Sequence, residues 1–178
     1  MNIQKKVCTP EYCIIPVRAN ISDRNEFLTM IRTGGERYGV TIVCLNREMI
    51  AGFSHAQTAL DHAIRAWKEK DMIARTLEVE VLLYAAGTRQ TGHIGPFGPE
   101  EGKHEYYLCI IPPNDTALLT LLAKMEVIED EDWDQMSDEK RMRLMSFYGI
   151  SPEELELVGH DRLLDLICER SALLTVNR

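Results

Sequence analysis

The sequence TLEVEVLLYAAGTRQ, from Thr76 to Gln90, governs how the rest of this chain is interpreted. It contains the densest apolar run, Val81–Ala86, and then changes at once to a polar turn flanked by glycines, Gly87–Gly92. Alternating apolar and acidic residues at its start favour a strand, whereas the alanines at its end favour a helix. In either case a buried segment leads into a short exposed loop, which is how proteins present a binding loop on a rigid base.

Strand and helix signals on both sides of this segment predict an α/β fold. Apolar, β-branched runs predict three strands, at Tyr12–Arg18, Val40–Leu45 and Glu105–Ile111. The second has the composition of a central strand, and Pro16 moves the first toward an edge or a bulge. Helix-start signals occur at Ser22, Ser54, Asn114, Ser137, Ser151 and about Asp161.

Details of these elements follow from local signals. The helix after Ser22 is expected to stop at Gly34-Gly35, and the next to begin with the capping box Ser54–Gln57. Residues 92–102, with four glycines and two prolines, are expected to form no regular element. We predict one domain over residues 1–178, with a small mixed sheet of three to five strands flanked by about six to eight helices.

The composition is that of an ordinary soluble domain, with 45% hydrophobic and 27% charged residues. No apolar run reaches the roughly 18 residues of a membrane span, and no secretory signal begins the chain, so we expect a cytoplasmic protein with no membrane partner. The five cysteines form no CxxC pair, and we expect them to be reduced.

Charge is distributed unevenly along the chain, whose net charge is −8. Residues 1–95 carry 12 Lys and Arg against 10 Asp and Glu, whereas residues 96–178 carry 8 against 18. Contact with nucleic acid is therefore expected in the first half, since phosphate repels an acidic surface. Residues 126–139 contain eight acidic side chains in fourteen, which predicts a solvated surface loop.

The residues do not indicate an enzyme. Gly87–Gly92 has the spacing of a phosphate-binding P-loop, but His93 and Ile94 follow where that motif requires lysine and then serine or threonine. His55 and His62 are two helical turns apart, about 10 Å, which is too far to share one metal ion. We therefore expect no cofactor and no metal.

Two motifs, LLYAAGTRQ at residues 82–90 and ERSALL at residues 169–174, together resemble the regulatory-subunit family of the KEOPS complex. LLYAAGTRQ, residues 82–90, is similar to the family's helix ending in a Gly-x-Arg-Gln loop, and ERSALL, residues 169–174, resembles its C-terminal motif. The resemblance extends over most of the chain and implies that residues 77–86 form a helix. Residues 92–102 depart from the family pattern, which has a short helix there.

The resemblance implies a non-catalytic accessory subunit that binds and stimulates the small kinase/ATPase subunit of KEOPS. It also implies a part in holding the acceptor CCA end of tRNA while threonylcarbamoyladenosine is formed. ATP and its metal would belong to the partners. Because the chain is acidic, we expect the isolated subunit to bind tRNA weakly.

The motifs supply most of the residues that would serve these roles, and Lys68 and Arg75 are added only because they are basic. Arg89 and Gln90 are the expected tRNA contacts, extended by Lys68 and Arg75, and the expected kinase contacts are Ala172, Leu173 and Leu174. In the alternative, these residues have only structural roles: Arg89 pairs with a carboxylate, Gln90 caps a turn, and the three C-terminal residues belong to the core.

Two other functions remain open at this point. One is a small-molecule or nucleotide-binding enzyme that uses the glycine-rich loop 87–98. The other is a self-associating interaction protein, for which the isolated chain would form a stable homodimer or larger homo-oligomer.

Overall fold

The computed structural model describes residues 6–129 and 131–176. Over these residues the chain forms two compact units that alternate along the sequence. Unit 1 contains the described residues up to Arg47 and the segment Gly98–Glu131; unit 2 contains Glu48–Phe97 and the described residues from Asp132 onward. Each unit is therefore built from two segments that are far apart in the sequence.

Unit 1 contains an antiparallel sheet. Its strands are β1 (Val7–Cys8), β2 (Cys13–Ile21), β3 (Thr41–Asn46), β4 (Gly102–Ile111) and β5 (Glu126–Val127). The sheet order is β1-β2-β4-β3, and β5 also pairs with β2. With the seven α-helices of the described residues, this confirms the predicted α/β class and the predicted numbers of strands and helices.

The arrangement of the strands differs from the prediction in two details. β2 and β3 run in the same direction and are joined by helix α1 (Arg24–Tyr38), but β4 inserts between them and pairs antiparallel with both. The pairings are therefore antiparallel and not mixed. β3 lies at the end of the sheet order, so it is an edge strand and not a central one; its apolar composition reflects the burial of Ile42 to Asn46.

The core of unit 1 lies between one face of this sheet and two helices, α1 and α4 (Asp115–Leu122). Every second residue of β2 from Cys13 to Ile21 points into it, as the period of a strand requires. Leu118 and Leu121 of α4 complete it.

Pro16 is tolerated in β2 because of the gap between two short neighbours. β1 pairs with residues 13 and 14, and β5 pairs with residues 17 and 18. The Pro16 carbonyl accepts from the Ile128 N–H on the β5 side at 3.0 Å. Since N and O of one strand residue point to the same side, the N–H that proline lacks would face this gap.

Both ends of α1 differ from the prediction. Its N-cap is Asp23 rather than Ser22, and the Asp23 carboxylate accepts from the Glu26 N–H at 2.9 Å. The helix continues to Tyr38 and ends at Gly39, which has a φ of 65°. It therefore passes through the two glycines that were expected to stop it.

The glycines at 34 and 35 serve packing instead. A Cβ on Gly35 would lie 2.6 Å from the Val40 carbonyl oxygen, so the chain returning toward β3 can approach only glycine this closely. A Cβ on Gly34 would make an ordinary contact with Ile42 at 3.8 Å.

A disulfide joins Cys8 and Cys13, which are register partners of β1 and β2. The prediction that all five cysteines are reduced is wrong for this pair. Their spacing gives no disulfide signal; the hairpin brings their Cα atoms to 4.2 Å. Cys44 and Cys109 are free and buried, and Cys168 is free and half-buried, as predicted.

The acidic segment 126–139 is not simply a solvated loop. It begins with β5, and Ile128 and Trp133 are buried within it. Asp134 accepts from the backbone N–H of Phe53 at 2.8 Å. Asp130 lies outside the described residues. The buried apolar side chains between the acidic residues hold the segment against the protein. Its carboxylates can therefore accept hydrogen bonds or form ion pairs.

Two of those carboxylates belong to an ion-pair network with Arg18, Arg47 and Glu105. Arg18 pairs with Glu105 at 2.5 Å and with Glu126 at 3.3 Å, and Arg47 pairs with Glu105 and with Glu131, the latter at 2.6 Å. Although desolvation acts in the opposite direction, the hydrogen bonds from Arg47 and Arg18 lower the pKa of Glu105.

Unit 2 is helical. Its helices are α2 (Phe53–Glu69), α3 (Leu77–Ala86), α5 (Asp138–Tyr148), α6 (Pro152–Val158) and α7 (Leu163–Leu173). α3 confirms that residues 77–86 form a helix. Val81 and the residues from Leu83 to Ala86 are buried, so the helix is apolar around most of its circumference, which explains why no helical period is visible in its sequence.

The helix-start signals in unit 2 are largely correct. Ser137 and Ser151 cap α5 and α6 by accepting backbone N–H groups at 3.2 and 3.1 Å, and in unit 1 Asn114 caps α4 at 2.9 Å. The capping box at Ser54 is not formed. α2 begins at Phe53 after Gly52, and the carboxylate of Asp134 supplies the cap.

The connection at 92–102 is more regular than predicted. Two short 3₁₀ turns, Thr91–His93 and Gly95–Phe97, lead toward β4. Ile94 and Phe97 are buried, and these apolar anchors give the glycine-rich segment a fixed path. Among the described residues, no helix has the length and apolar character needed to cross a membrane.

Candidate functional site

The turn after α3 is held against the backbone of α7. Gly87 ends the helix with a φ of 60°, and its N–H donates to the Tyr84 carbonyl at 3.1 Å. A Cβ on Gly87 would lie 3.2 Å from the carbonyl oxygen of Arg170. Glycine is therefore required at this position both for the left-handed turn and for the close approach of α7.

A buried hydrogen bond fixes the two helices to each other. The hydroxyl of Ser171, which is fully buried, donates to the Tyr84 carbonyl at 2.5 Å. Tyr84 lies in the first family-like motif and Ser171 in the second. The two motifs, far apart in the sequence, are thus in direct contact.

A pocket of about 520 Å³ opens where these segments meet. It is lined by residues of the α3 turn, α5 and the C-terminal part of α7: Ala86, Gly87, Thr88, His93, Phe147, Tyr148, Arg170, Leu173 and Leu174. The lining residues are aromatic, aliphatic and polar, with one arginine among them. Pockets for small ligands and nucleotides have this mixed character, with volumes of about 300–1,000 Å³.

Aromatic rings form one side of the pocket. The centroid of Phe147 lies 5.0 Å from that of Phe97 and 5.1 Å from that of Tyr148, in edge-to-face geometry. Phe147 is 36% exposed, so part of its side chain is accessible to a ligand.

His55 lies behind the pocket lining and contacts Tyr148, one of the lining residues. Its Nδ1 accepts from the Ala51 N–H at 3.1 Å, so the ring proton is on Nε2, which donates to the Ala85 carbonyl at 2.9 Å. Tyr148 donates to the same carbonyl at 2.5 Å. Burial lowers the pKa of His55 to about 4 and raises that of Tyr148, so both groups are neutral near pH 7.

Arg89 and Gln90 continue the turn beyond the lining residues and are both exposed. The Gln90 N–H donates to the Thr88 hydroxyl at 3.2 Å, but its side chain caps nothing at the following 3₁₀ turn. Within the chain as described, the guanidinium of Arg89 has no ion-pair partner. The structure therefore does not show the alternative in which Arg89 pairs with a carboxylate and the Gln90 side chain caps a turn.

The structure does not bring Lys68 and Arg75 to this turn. Lys68 is at the end of α2 and Arg75 precedes α3, so both lie toward the opposite end of α3 from Arg89. The ten residues of α3 have an axial rise of about 15 Å. All three basic residues are exposed, but only Arg89 is next to the pocket.

The three predicted kinase contacts have different environments. Leu174 is buried at 5% exposure, which matches a core role, whereas Ala172 and Leu173 are half-buried. Leu173 and Leu174 also line the pocket. Two of the predicted docking residues therefore line the pocket beside the turn that carries Arg89 and Gln90, the first two predicted RNA contacts.

The glycine-rich loop has the wrong position for a P-loop. P-loops precede a helix and hold phosphate at its positive N-terminus, whereas residues 87–92 follow the C-terminus of α3, where carbonyl groups point outward. Over the described residues, no group of three His, Cys, Asp or Glu side chains could hold a metal ion.

Sequence reasoning missed Phe147, Tyr148, His55 and the pairing of Arg170 with Glu154 at 2.7 Å. Nothing in the sequence marks the two aromatic residues, since they lie at the end of an otherwise polar helix. A histidine in an alanine-rich helix is a signal that the sequence does contain, but it is shared by His55 and His62.

Comparison of the chain with protein-family models finds no match, and comparison with curated proteins also finds none.

Proposed function

We propose that this protein is a non-catalytic accessory subunit of a KEOPS-type complex that forms threonylcarbamoyladenosine on tRNA. In this proposal its pocket holds the unpaired CCA end of the tRNA. The protein also binds and stimulates the small kinase/ATPase subunit, which supplies ATP and its metal. It acts in the cytoplasm and carries no cofactor of its own.

The observation that supports the proposal most strongly is the convergence of the two family-like motifs. Gly87 and Arg170 are 83 positions apart in the sequence, yet both line one pocket, and Ser171 bonds directly to Tyr84. Two unrelated chance similarities would not be expected to meet at a single cavity.

The chemistry of the pocket suits a single-stranded RNA end. Bases stack on aromatic faces such as that of Phe147, and a guanidinium such as that of Arg170 binds phosphate. Arg89, exposed on the adjoining turn, adds a second cation. Unit 2 as a whole carries 11 Lys and Arg against 16 Asp and Glu, a net −5, so we expect the isolated protein to bind RNA weakly.

The decisive experiment is a salt-titrated binding assay with intact tRNA and with tRNA that lacks its CCA end. The proposal predicts that binding requires the CCA end and falls about tenfold for Arg89→Ala. Arg32→Ala is the matched control, since Arg32 is an exposed arginine of unit 1. Binding that is indifferent to the CCA end and to Arg89 would remove the RNA role from this pocket.

Lys68 and Arg75 stay predicted tRNA contacts, but for a different part of the tRNA. Because Arg75 precedes α3, whose axial rise is about 15 Å, Arg75→Ala is expected to weaken the binding of whole tRNA and not of a short CCA oligonucleotide. An equal effect on both ligands would contradict this assignment.

Kinase docking is assigned to the half-exposed surface of Ala172 and Leu173. Leu173→Glu is expected to abolish co-purification with the kinase subunit while the unfolding midpoint stays near that of the wild type. Leu174→Ala should instead lower the free energy of unfolding by about 2–5 kcal/mol, because this side chain is buried.

Since Leu173 also lines the pocket, the kinase and a CCA oligonucleotide should alter each other's affinity by the same factor.

A nucleotide-binding enzyme remains the second candidate, because Gly87, Thr88 and His93 of the loop 87–98 line the pocket. This candidate predicts tight binding and turnover of free ATP by the isolated chain. The accessory-subunit proposal predicts no turnover. Titration calorimetry and a phosphate-release assay separate the two, and a stable homo-oligomer indifferent to tRNA would favour the self-associating alternative.

A further inference from the structure

Arg170 is the one permanently charged side chain among the nine residues that line the pocket of unit 2. The other lining groups are aliphatic, aromatic or uncharged, apart from His93. A single cation set among apolar and aromatic surface matches a ligand that combines a ring system with an anionic group. A nucleoside carrying a phosphate ester has this composition.

In the structure the guanidinium is engaged by a carboxylate. Arg170 Nη2 donates to Glu154 Oε1 at 2.7 Å, and the two side chains are 32% and 34% exposed. Guanidinium has five N–H donors, so this contact leaves others for a ligand. Because both partners remain in contact with water, their pairing contributes little stability and can be exchanged for another anion.

We propose that Arg170 binds a phosphate group of the ligand and that Glu154 competes with that phosphate, so that Glu154 limits the affinity of the pocket. The identity of the phosphate as part of an RNA end rests on the proposed function. The competition itself rests only on the geometry of Arg170, Glu154 and the pocket. The alternative is a purely structural pair that joins α6 to α7.

The test compares Arg170→Gln, Glu154→Gln and the double variant, with Glu153→Gln as the control. Glu153 is an exposed neighbour on the same helix, so its substitution removes the same charge without freeing Arg170. The probes are a single-stranded RNA ending in CCA, AMP, and adenosine, which has no phosphate. Unfolding midpoints are measured for every variant.

We expect Glu154→Gln to tighten binding of the RNA and of AMP about three- to fivefold, and Arg170→Gln to weaken both about tenfold. Arg170→Gln should also reduce the slope of log affinity against log salt for the RNA by about one. In the Arg170→Gln background, Glu154→Gln should have no further effect. Adenosine binding should not depend on either residue.

Three results would overturn the inference. Glu154→Gln could tighten binding equally in the wild-type and Arg170→Gln backgrounds, or it could tighten binding no more than Glu153→Gln does. Either result would show that the carboxylate of Glu154 acts only through its long-range field. If Arg170→Gln lowers the unfolding midpoint and leaves affinity unchanged, the pair is structural. If none of the probes binds the wild type, the pocket has no such ligand.

The outcome for the proposed function is read separately. Binding of AMP that depends on Arg170, without binding of the RNA, would support the competition at Arg170 and remove the RNA role. Binding of the RNA that ignores both Arg170 and Glu154 would keep the RNA role and remove this inference.

Discussion

At the scale of single residues, His55 connects the chemistry of the pocket to the stability of unit 2. Its two ring nitrogens are both used, by Ala51 and by Ala85, and the bond from Nε2 satisfies a carbonyl at the free end of α3. A protonated ring could not accept from Ala51. The folded protein therefore requires the neutral imidazole.

This requirement predicts a pH dependence of unfolding. Burial lowers the pKa of His55 to about 4, compared with about 6.5 in the unfolded chain, so the unfolded state binds the extra proton. Stability is unaffected by this group above pH 6.5 and decreases as the pH falls to 4, by roughly 3 kcal/mol in total. Urea unfolding at a series of pH values measures the change.

The comparison with His55→Gln isolates this contribution. Burial also lowers the pKa of His62, which acts in the same direction, so the wild-type slope alone is not specific. Glutamine keeps a donor toward Ala85 but does not titrate, and His55→Gln should reduce the slope between pH 6.5 and 4. An unchanged slope would show that His55 is not the neutral buried group described.

Glu80 is a second residue whose role the sequence conceals. It is fully buried in α3, and its carboxylate accepts from the N–H groups of Ile73, at 2.9 Å, and Ala74, at 2.6 Å. Glu80→Ala should therefore lower the free energy of unfolding by about 2–3 kcal/mol, because two backbone donors lose their acceptor. Glu78→Ala, a half-buried glutamate of the same helix, is the control and should cost less than about 1 kcal/mol. Equal losses in denaturant unfolding would contradict the role assigned to Glu80.

At the scale of elements, α1 shows that identical neighbours can have opposite roles. Gly34→Ala should stabilise the protein by about 0.5–1 kcal/mol, since alanine favours the helix and its Cβ meets Ile42 only at 3.8 Å. Gly35→Ala should destabilise it by about 1–3 kcal/mol, because its Cβ would lie 2.6 Å from the Val40 carbonyl. Thermal unfolding of the two variants measures the difference, and shifts of the same sign would contradict this packing.

The elements that sequence patterns predict well are those determined by local chemistry. Asn114, Ser137 and Ser151 cap helices as expected, because a cap needs only its own side chain and the next three residues. Gly35 and the N-terminus of α2 were mispredicted because their partners, Val40 and Asp134, lie outside the helices concerned. The disulfide was missed for a similar reason, since it depends on the β1–β2 register.

The candidate site was predictable only in part. Arg89 and Gln90 were predicted because they lie in a polar loop directly after a buried run, and both are exposed on the turn beside the pocket. Phe147 and Glu154 were not found, because a pocket formed by three helices brings together residues that share no sequence pattern. Lys68 and Arg75 were grouped with Arg89 by charge alone, and the length of α3 separates them.

At the scale of the whole molecule, the charge asymmetry of the sequence is not an asymmetry of the units. Unit 1 carries 9 Lys and Arg against 12 Asp and Glu, a net −3, and unit 2 carries −5. Both are acidic because each takes one segment from either half of the chain. Glu126 and Glu131 are also partly neutralised by Arg18 and Arg47. Any RNA contact therefore depends on local cations and not on the overall field.

The alternation of the units along the chain also bears on the prediction of a single domain. Folding of unit 1 brings the ends of residues 48–97 together, and folding of unit 2 does the same for residues 98–131, so each unit closes a loop of the other. Closing a free loop of this length costs about 3 kcal/mol of chain entropy. Unfolding one unit should therefore destabilise the other, and we expect a single cooperative transition.

The two units contain natural probes that make this expectation testable. Both tryptophans, Trp67 and Trp133, are in unit 2, whereas the buried free thiols of Cys44 and Cys109 are in unit 1. Tryptophan fluorescence and the alkylation of these two thiols should give the same midpoint in urea, because loss of either unit removes the loop closure of the other. If the urea midpoints of thiol alkylation and of tryptophan fluorescence differ measurably, the units unfold independently. The chain would then consist of two domains.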